Sequence, residues 1–230
     1  MKKLRKLFVC SLLILSVGQS YSQSYDQLKV QLQFESYYGA PLRSSIERRE
    51  MAGPIFLYDD WLPLEVELPN GTVRFEEGKI NLQNTMVEVI YKDQEKIIAP
   101  HNLKNVWMPT LSKKFTPASN YKYNEVSLLG FMEIFGEDAP CIMTNHYVYI
   151  KKANNDGYVN AGVTEDKLMK ATNNYLFDGS TLWLVRNQKD IVKVYPQHKQ
   201  SIKKLSTSLT TNFSDPRSLQ KLIVEIRRLN

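Results

Sequence analysis

The sequence predicts a mainly β fold: an antiparallel meander or barrel-like sheet with a C-terminal helical hairpin packed on it. Three observations carry that expectation. Short runs in which every second residue is apolar recur through residues 53–196, the period of a half-buried strand. Turn signals such as Asn70-Gly71 and Asp178-Gly179 fall between them, at the roughly 8–12-residue spacing of consecutive antiparallel strands. Beyond Pro196 the apolar period becomes that of a helix.

Residues 1–22 precede the folded part. Lys2, Lys3, Arg5 and Lys6 stand before an apolar run over 7–17, and Ser20-Tyr21-Ser22 follow it. That run is too short to cross a bilayer as a helix, which needs about 20 residues. A basic start, a short apolar run and small-x-small form the layout of a secretory signal peptide. Cleavage after Ser22 leaves residues 23–230. Cys10 lies inside the apolar run, not just after it, so lipidation is not expected. Cys141 is then the one thiol of the mature chain. A single thiol makes no intramolecular disulfide, so the exported fold must stand on its hydrophobic core. No later segment is long and apolar enough for a transmembrane helix.

Residues 23–52 form an N-terminal strand and linker. Leu28, Val30, Leu32 and Phe34 alternate, and Tyr37-Tyr38-Gly39-Ala40-Pro41 ends the strand. Residues 44–51 read as a short helix or a loop.

Residues 53–196 form the antiparallel β domain. Leu64-Glu65-Val66-Glu67-Leu68 alternates strictly, and Asn70-Gly71 signals a two-residue hairpin because both residues tolerate positive φ. Strand pieces follow at 79–82 and 87–91, then a polar turn at 92–95 and a return at 96–99. Residues 101–124 read as a long polar connection interrupted by Val106-Trp107-Met108. Residues 126–135 and 147–150 are strand-like, and 154–157 reads as a turn. Residues 175–185 make a hairpin around Asp178-Gly179. Asn187-Gln188-Lys189-Asp190 reads as a turn into a strand, Ile191-Val192-Lys193-Val194-Tyr195, which Pro196 closes.

Residues 197–230 read as the helical hairpin. Ile202, Leu205 and Leu209 share helical spacing. Asp215 before Pro216 is a capped helix start, and Leu219, Leu222, Ile223, Ile226 and Leu229 lie on one face.

The chain has 30 Lys+Arg, 24 Asp+Glu and a net charge of +6, with a pI near 9.1. Residues 1–22 hold +4 of that charge, 23–191 hold −4 and 192–230 hold +6. The mature chain is therefore close to neutral, at +2. Its high pI gives no case for nucleic acid, and no nucleic-acid-binding motif occurs. One basic C-terminal face remains, including Lys203, Lys204, Arg227 and Arg228, suited to an acidic partner or to lipid phosphate.

Candidate chemistry is sparse. His101, His146 and His198 are far apart, and no metal-ligand spacing occurs, so neither a metal nor a cofactor is expected. Cys141 and His146 could pair as nucleophile and base, but an odd spacing puts them on opposite faces of a continuous strand. The acid pairs Asp59-Asp60, Glu76-Glu77 and Glu137-Asp138 read as solvated turns. Trp61, Trp107 and Trp183 are aromatics that could bind sugars or partners, with Trp61 and Trp107 taken as candidate binding residues, against the alternative that all three fill the β core.

The signal peptide ending before Gln23, Gly53-Pro54-Ile55-Phe56-Leu57-Tyr58-Asp59-Asp60-Trp61 leading into the Asn70-Gly71 hairpin, the strand pattern over 175–193 and the closing helical hairpin carry a resemblance. The chain resembles uncharacterised exported, signal-peptide-bearing β-rich proteins of Bacteroidota. The resemblance implies a cell-envelope location, periplasmic, outer-membrane-associated or extracellular, and carries over no functional residue. The leading expectation is a non-enzymatic exported protein that binds a protein partner or an envelope component. A barrel-type small-ligand carrier is the alternative, and a hydrolase the third reading. The sequence does not set the oligomeric state.

Overall fold

The computed structural model describes residues 53–152 and 166–229. The expected signal peptide over 1–22, the expected strand and linker over 23–52 and the expected turn over 154–157 lie outside these residues.

Ten strands form one antiparallel sheet. In chain order they are β1 (Leu62–Leu68), β2 (Gly71–Asn81), β3 (Met86–Tyr91), β4 (Gln94–Ile98), β5 (Asn105–Met108), β6 (Lys113–Pro117), β9 (Phe131–Phe135), β10 (Cys141–Lys151), β11 (Lys167–Phe177) and β12 (Leu182–Leu184). Two short strands, β7 (Lys122–Tyr123) and β8 (Val126–Ser127), make a separate ribbon. The spatial order is β12-β11-β10-β9-β6-β5-β1-β2-β3-β4. Every neighbouring pair is antiparallel, so most links are local hairpins. The sheet is open, with β12 and β4 as its edges among the described residues, and it does not close into a barrel.

Strand alternation decides what each face meets. Leu64, Val66 and Leu68 of β1 point into a core with Phe75, Ile80, Val87, Val89, Val106, Met108, Phe115 and Phe131. Glu65 and Glu67, between them, point the other way. In the second half of the sheet the faces are covered differently. Ile142 and Leu176 meet the C-terminal helices. Cys141, Met143 and Tyr175 meet Tyr121, Tyr123 and Leu128 from the β7–β8 side.

The C-terminal helices are α1 (Gln188–Val194), α2 (Lys199–Ser208) and α3 (Pro216–Arg227). Asp215 caps α3, accepting from the backbone of Arg217 and Ser218, with Pro216 in its first turn. Leu219, Leu222, Ile223 and Ile226 are buried, as their spacing predicts, while Leu229 past the helix end is 43% exposed.

Five local expectations are corrected. Residues 191–195 are not a strand: 191–194 belong to α1. The Lys189 amide donates to Asn187 Oδ1 at 2.9 Å, and the Asn187 amide donates to the Asp190 carboxylate at 3.3 Å. That reciprocal cap starts a helix whatever the β propensity of Ile191 and Val192. Burial of Ile191 against Ile202 and Leu222 then holds it.

The polar connection over 101–124 contains β5 and β6, in the middle of the sheet. Lys113 and Lys114 disguised β6. The Lys113 ammonium is neutralised by Glu133 of the next strand, 3.1 Å away. The apolar run over 126–135 is split by Gly130, at φ 79°, into β8 and β9. Finally, the first hairpin turns at Pro69-Asn70, since Gly71 already pairs with Leu68. The 92–95 turn is confined to Lys92 and Asp93, at φ 52° and 57°, with Gln94 and Glu95 in β4.

Candidate functional site

The six expected binding residues fall in three places. Trp61 is half-buried. The Lys79 ammonium sits 4.9 Å from the centre of its ring and 5.1 Å from that of Phe56, so the chain's own cation already occupies this aromatic pair. Lys203 and Lys204 are exposed on α2, and Arg227 is exposed at the end of α3. Arg228 forms an ion pair with Glu225 at 2.6 Å. Lys203, Lys204 and Arg227 have no ion-pair partner among the described residues.

Trp107 stands apart from these. Val106 and Met108 of β5 are buried at 0% and 1%, so alternation turns Asn105 and Trp107 to the opposite face. The indole there is 38% exposed. Its cross-strand neighbours are Lys114 on β6 and Glu65 on β1. Beside it, the Asn105 side-chain amide donates to Glu67 Oε2 at 2.6 Å, and Thr72 pairs opposite Glu67 on β2. These residues line a shallow cavity of about 260 Å³.

The chemistry of this face is mixed by design of the strand period. Trp107 offers a flat apolar surface. Lys114 donates, Glu65 and Glu67 accept, and Asn105 and Thr72 do both. The side chains stand on four neighbouring strands (β6, β5, β1 and β2), so the backbone holds their spacing. The sequence carried this signal in two places, Glu65-Val66-Glu67 and Asn105-Val106-Trp107, but gave no hint that they pair.

A second group was missed by sequence reasoning. Glu133 is 3% exposed in the middle of β9. Its carboxylate meets Lys113 Nζ at 3.1 Å and His146 Nε2 at 2.9 Å. Burial pushes the Glu133 carboxyl up, but hydrogen bonds from His146 and Lys113 and the Lys113 charge outweigh it and hold it below the usual carboxylate range. Burial pulls Lys113 down, yet Tyr58 and Glu133 together leave it raised. Phe115 packs edge-on to His146 with ring centres 6.1 Å apart. A carboxylate held ionised by two neighbours is suited to tying β6, β9 and β10 together. The signal was one acid inside Phe131-Met132-Glu133-Ile134-Phe135, an apolar stretch that needs a buried partner for it.

The other candidates do not converge. Cys141 and His146 belong to the one continuous strand β10 and face opposite sides. His101 is exposed and meets its neighbour Asn102, at 2.9 Å. Asp59 lies 3.9 Å from Lys170, and Glu76 pairs with Arg74 at 3.2 Å. Among the described residues no three His, Cys, Asp or Glu side chains gather to hold a metal, and no helix is long and apolar enough to cross a membrane. Comparison with family models, with curated proteins and with solved structures gave no match to this chain.

Proposed function

We propose that this chain is a non-enzymatic exported envelope protein that binds a protein partner or an envelope component through the sheet face around Trp107. One observation carries the reading: Trp107 is 38% exposed on a central strand of a ten-stranded sheet, with polar groups already hydrogen-bonded beside it. A tryptophan brings a large contact area with few rotatable bonds, so fixing it on binding costs little entropy. The Asn105–Glu67 hydrogen bond removes further side-chain freedom before any ligand arrives. Export is supported by the basic, apolar, small-residue order of residues 1–22.

The other readings find less support. A barrel-type carrier needs a closed wall around its ligand, and this sheet has two open edges among the described residues. A thiol hydrolase needs an accessible nucleophile beside its base, and Cys141 is buried on the face opposite His146.

The test is crosslinking in the native envelope with tagged wild-type protein and a Trp107→Ala variant, read by mass spectrometry. The expected result is a protein, lipid or glycan species recovered with the wild type and depleted at least about fivefold with the variant, a loss of roughly 1 kcal/mol of binding. An identical set from both proteins, or no species from either, overturns the proposal.

A further inference from the structure

A groove of about 650 Å³ lies between the turn of the β7–β8 ribbon and the edge strand β12 with the start of α1. It is well within the size of small-ligand sites. It lies at the sheet's β12 edge, five positions away in the strand order from β5, which carries Trp107. Its floor holds Trp183, 39% exposed.

This indole is anchored. Trp183 Nε1 donates to Asp178 Oδ2 at 2.9 Å. The other oxygen of that carboxylate accepts from the Ser180 amide at 2.9 Å, the Ser180 hydroxyl at 3.0 Å and the Thr181 amide at 2.8 Å. An exposed tryptophan ordinarily samples rotamers. Here four hydrogen bonds on one turn carboxylate hold the ring in place, and the entropy of ordering an aromatic platform is spent before a ligand binds.

Charge completes the picture. Lys122, Arg186 and Lys193 line the groove with Glu125 and Asp190. Asp190 is fully engaged within the fold: one oxygen accepts from the Arg186 and Asn187 amides, and the other holds Lys193 at 3.1 Å. The two remaining cations, Lys122 and Arg186, line the groove with one acid, Glu125, while the nearby Asp178 carboxylate is spent on its hydrogen bonds to Trp183, Ser180 and Thr181. Ser180, Thr181 and Asn124 supply hydroxyl and amide groups.

We infer that this groove binds an acidic saccharide: a sugar ring stacks its C–H face on Trp183, its anion meets Arg186 and Lys122, and its hydroxyls meet the polar rim. A flat apolar face, an anion and many hydroxyls are the three features the lining complements, and an acidic sugar carries all three. The site is independent of the Trp107 face and rests on different residues.

The experiment is isothermal titration of the purified protein with tri-galacturonic acid, with its fully methyl-esterified form, and with adenosine monophosphate. Tri-galacturonic acid is expected to bind at least about tenfold tighter than the ester, a 1.4 kcal/mol difference. Trp183→Ala and Arg186→Ala are each expected to weaken it by about tenfold or more, and Trp107→Ala to leave it unchanged. Lys122→Ala, on a different element from Arg186, repeats the test where Trp183→Ala unfolds. The inference is overturned if tri-galacturonic acid does not bind, if the ester or the nucleotide binds equally well, if Arg186→Ala and Lys122→Ala have no effect, or if Trp107→Ala abolishes binding. Loss of this binding leaves the crosslinking result at Trp107 untouched, so the two proposals fail separately.

Discussion

Glu133 Oε2 lies 2.9 Å from His146 Nε2, joining two adjacent strands in a place where the carboxylate is almost sealed from water. With Lys113 on its other oxygen, that carboxylate is held below its ordinary range in the folded state, whereas in the unfolded chain it titrates near 4.3. A lowered folded-state pKa gives stability that is complete above the unfolded value and is lost as pH falls through the folded one. Glu133→Gln should therefore cost about 2 kcal/mol or more at pH 7, because it uncouples a buried ionic hydrogen-bond group. The gap to wild type should shrink as pH drops below about 4. Urea unfolding midpoints between pH 3 and pH 7 check it. A gap that stays constant over this window would exclude the linkage.

Gly130 and Gly179 make a matched pair. Both have positive φ, 79° and 109°. A Cβ on Gly130 would stand 2.0 Å from the His146 carbonyl oxygen, whereas one on Gly179 would meet only the Ala139 side chain, at 3.5 Å. Gly130 also joins the small ribbon to the sheet. Its amide donates to Thr85 Oγ1 at 3.1 Å, and its carbonyl accepts from Ala118 at 2.9 Å. Gly130→Ala should cost about 3 kcal/mol or more, adding backbone clash to left-handed strain, and Gly179→Ala about 1 kcal/mol from strain alone. Equal losses in urea melts would show that the backbone approach at Gly130 relaxes freely.

The strands that alternate cleanly were legible because each side of their pleat meets a different medium. Leu64, Val66 and Leu68 against Glu65 and Glu67 is the plainest case. β6 was hidden for the opposite reason. Lys113 is a charged residue on an inward row, tolerable only because Glu133, twenty positions later, is there to meet it. Long-range pairing of that kind has no local signature. α1 failed differently. Ile191, Val192 and Val194 favour a strand, but Asn187 and Asp190 form a helix cap, and the same residue types also suit a turn. On the candidate site, alternation supplied the outward rows of β1 and β5. The register that puts Trp107 between Lys114 and Glu65 came only with the sheet order.

The cap on α1 is open to direct measurement. Asn187 Oδ1 accepts from the Lys189 amide, and the Asp190 carboxylate accepts from the Arg186 and Asn187 amides. Asn187→Ala should cost about 1 kcal/mol, and Asn187→Asp only a few tenths, because aspartate caps as well as asparagine. α1 has seven residues, so little propensity stands behind the cap. Thermal melts of the two variants give the comparison. A loss as large for Asn187→Asp as for Asn187→Ala would mean that the side-chain acceptor is not what holds the turn.

Cys141 offers a readout of opening in the second half of the sheet. It is 5% exposed, packed among Met132, Met143 and Tyr175. Burial pushes its thiol up, Arg227 pulls it back and Asp138 adds to the rise, so the thiolate is scarce in the folded state. The thiolate is the reactive form, and it must also reach the reagent. At pH 8 a maleimide or disulfide reagent should label Cys141 in the native protein at least roughly 100-fold slower than in urea. The native rate should then follow the opening of β10 and β11, not reagent concentration, once reagent is in excess. Gly130→Ala, which strains the backbone against His146 on the same strand, should raise that rate in step with its loss of stability. Fast labelling of the native wild type would show that the β7–β8 ribbon lifts from this face without unfolding of the sheet beneath it.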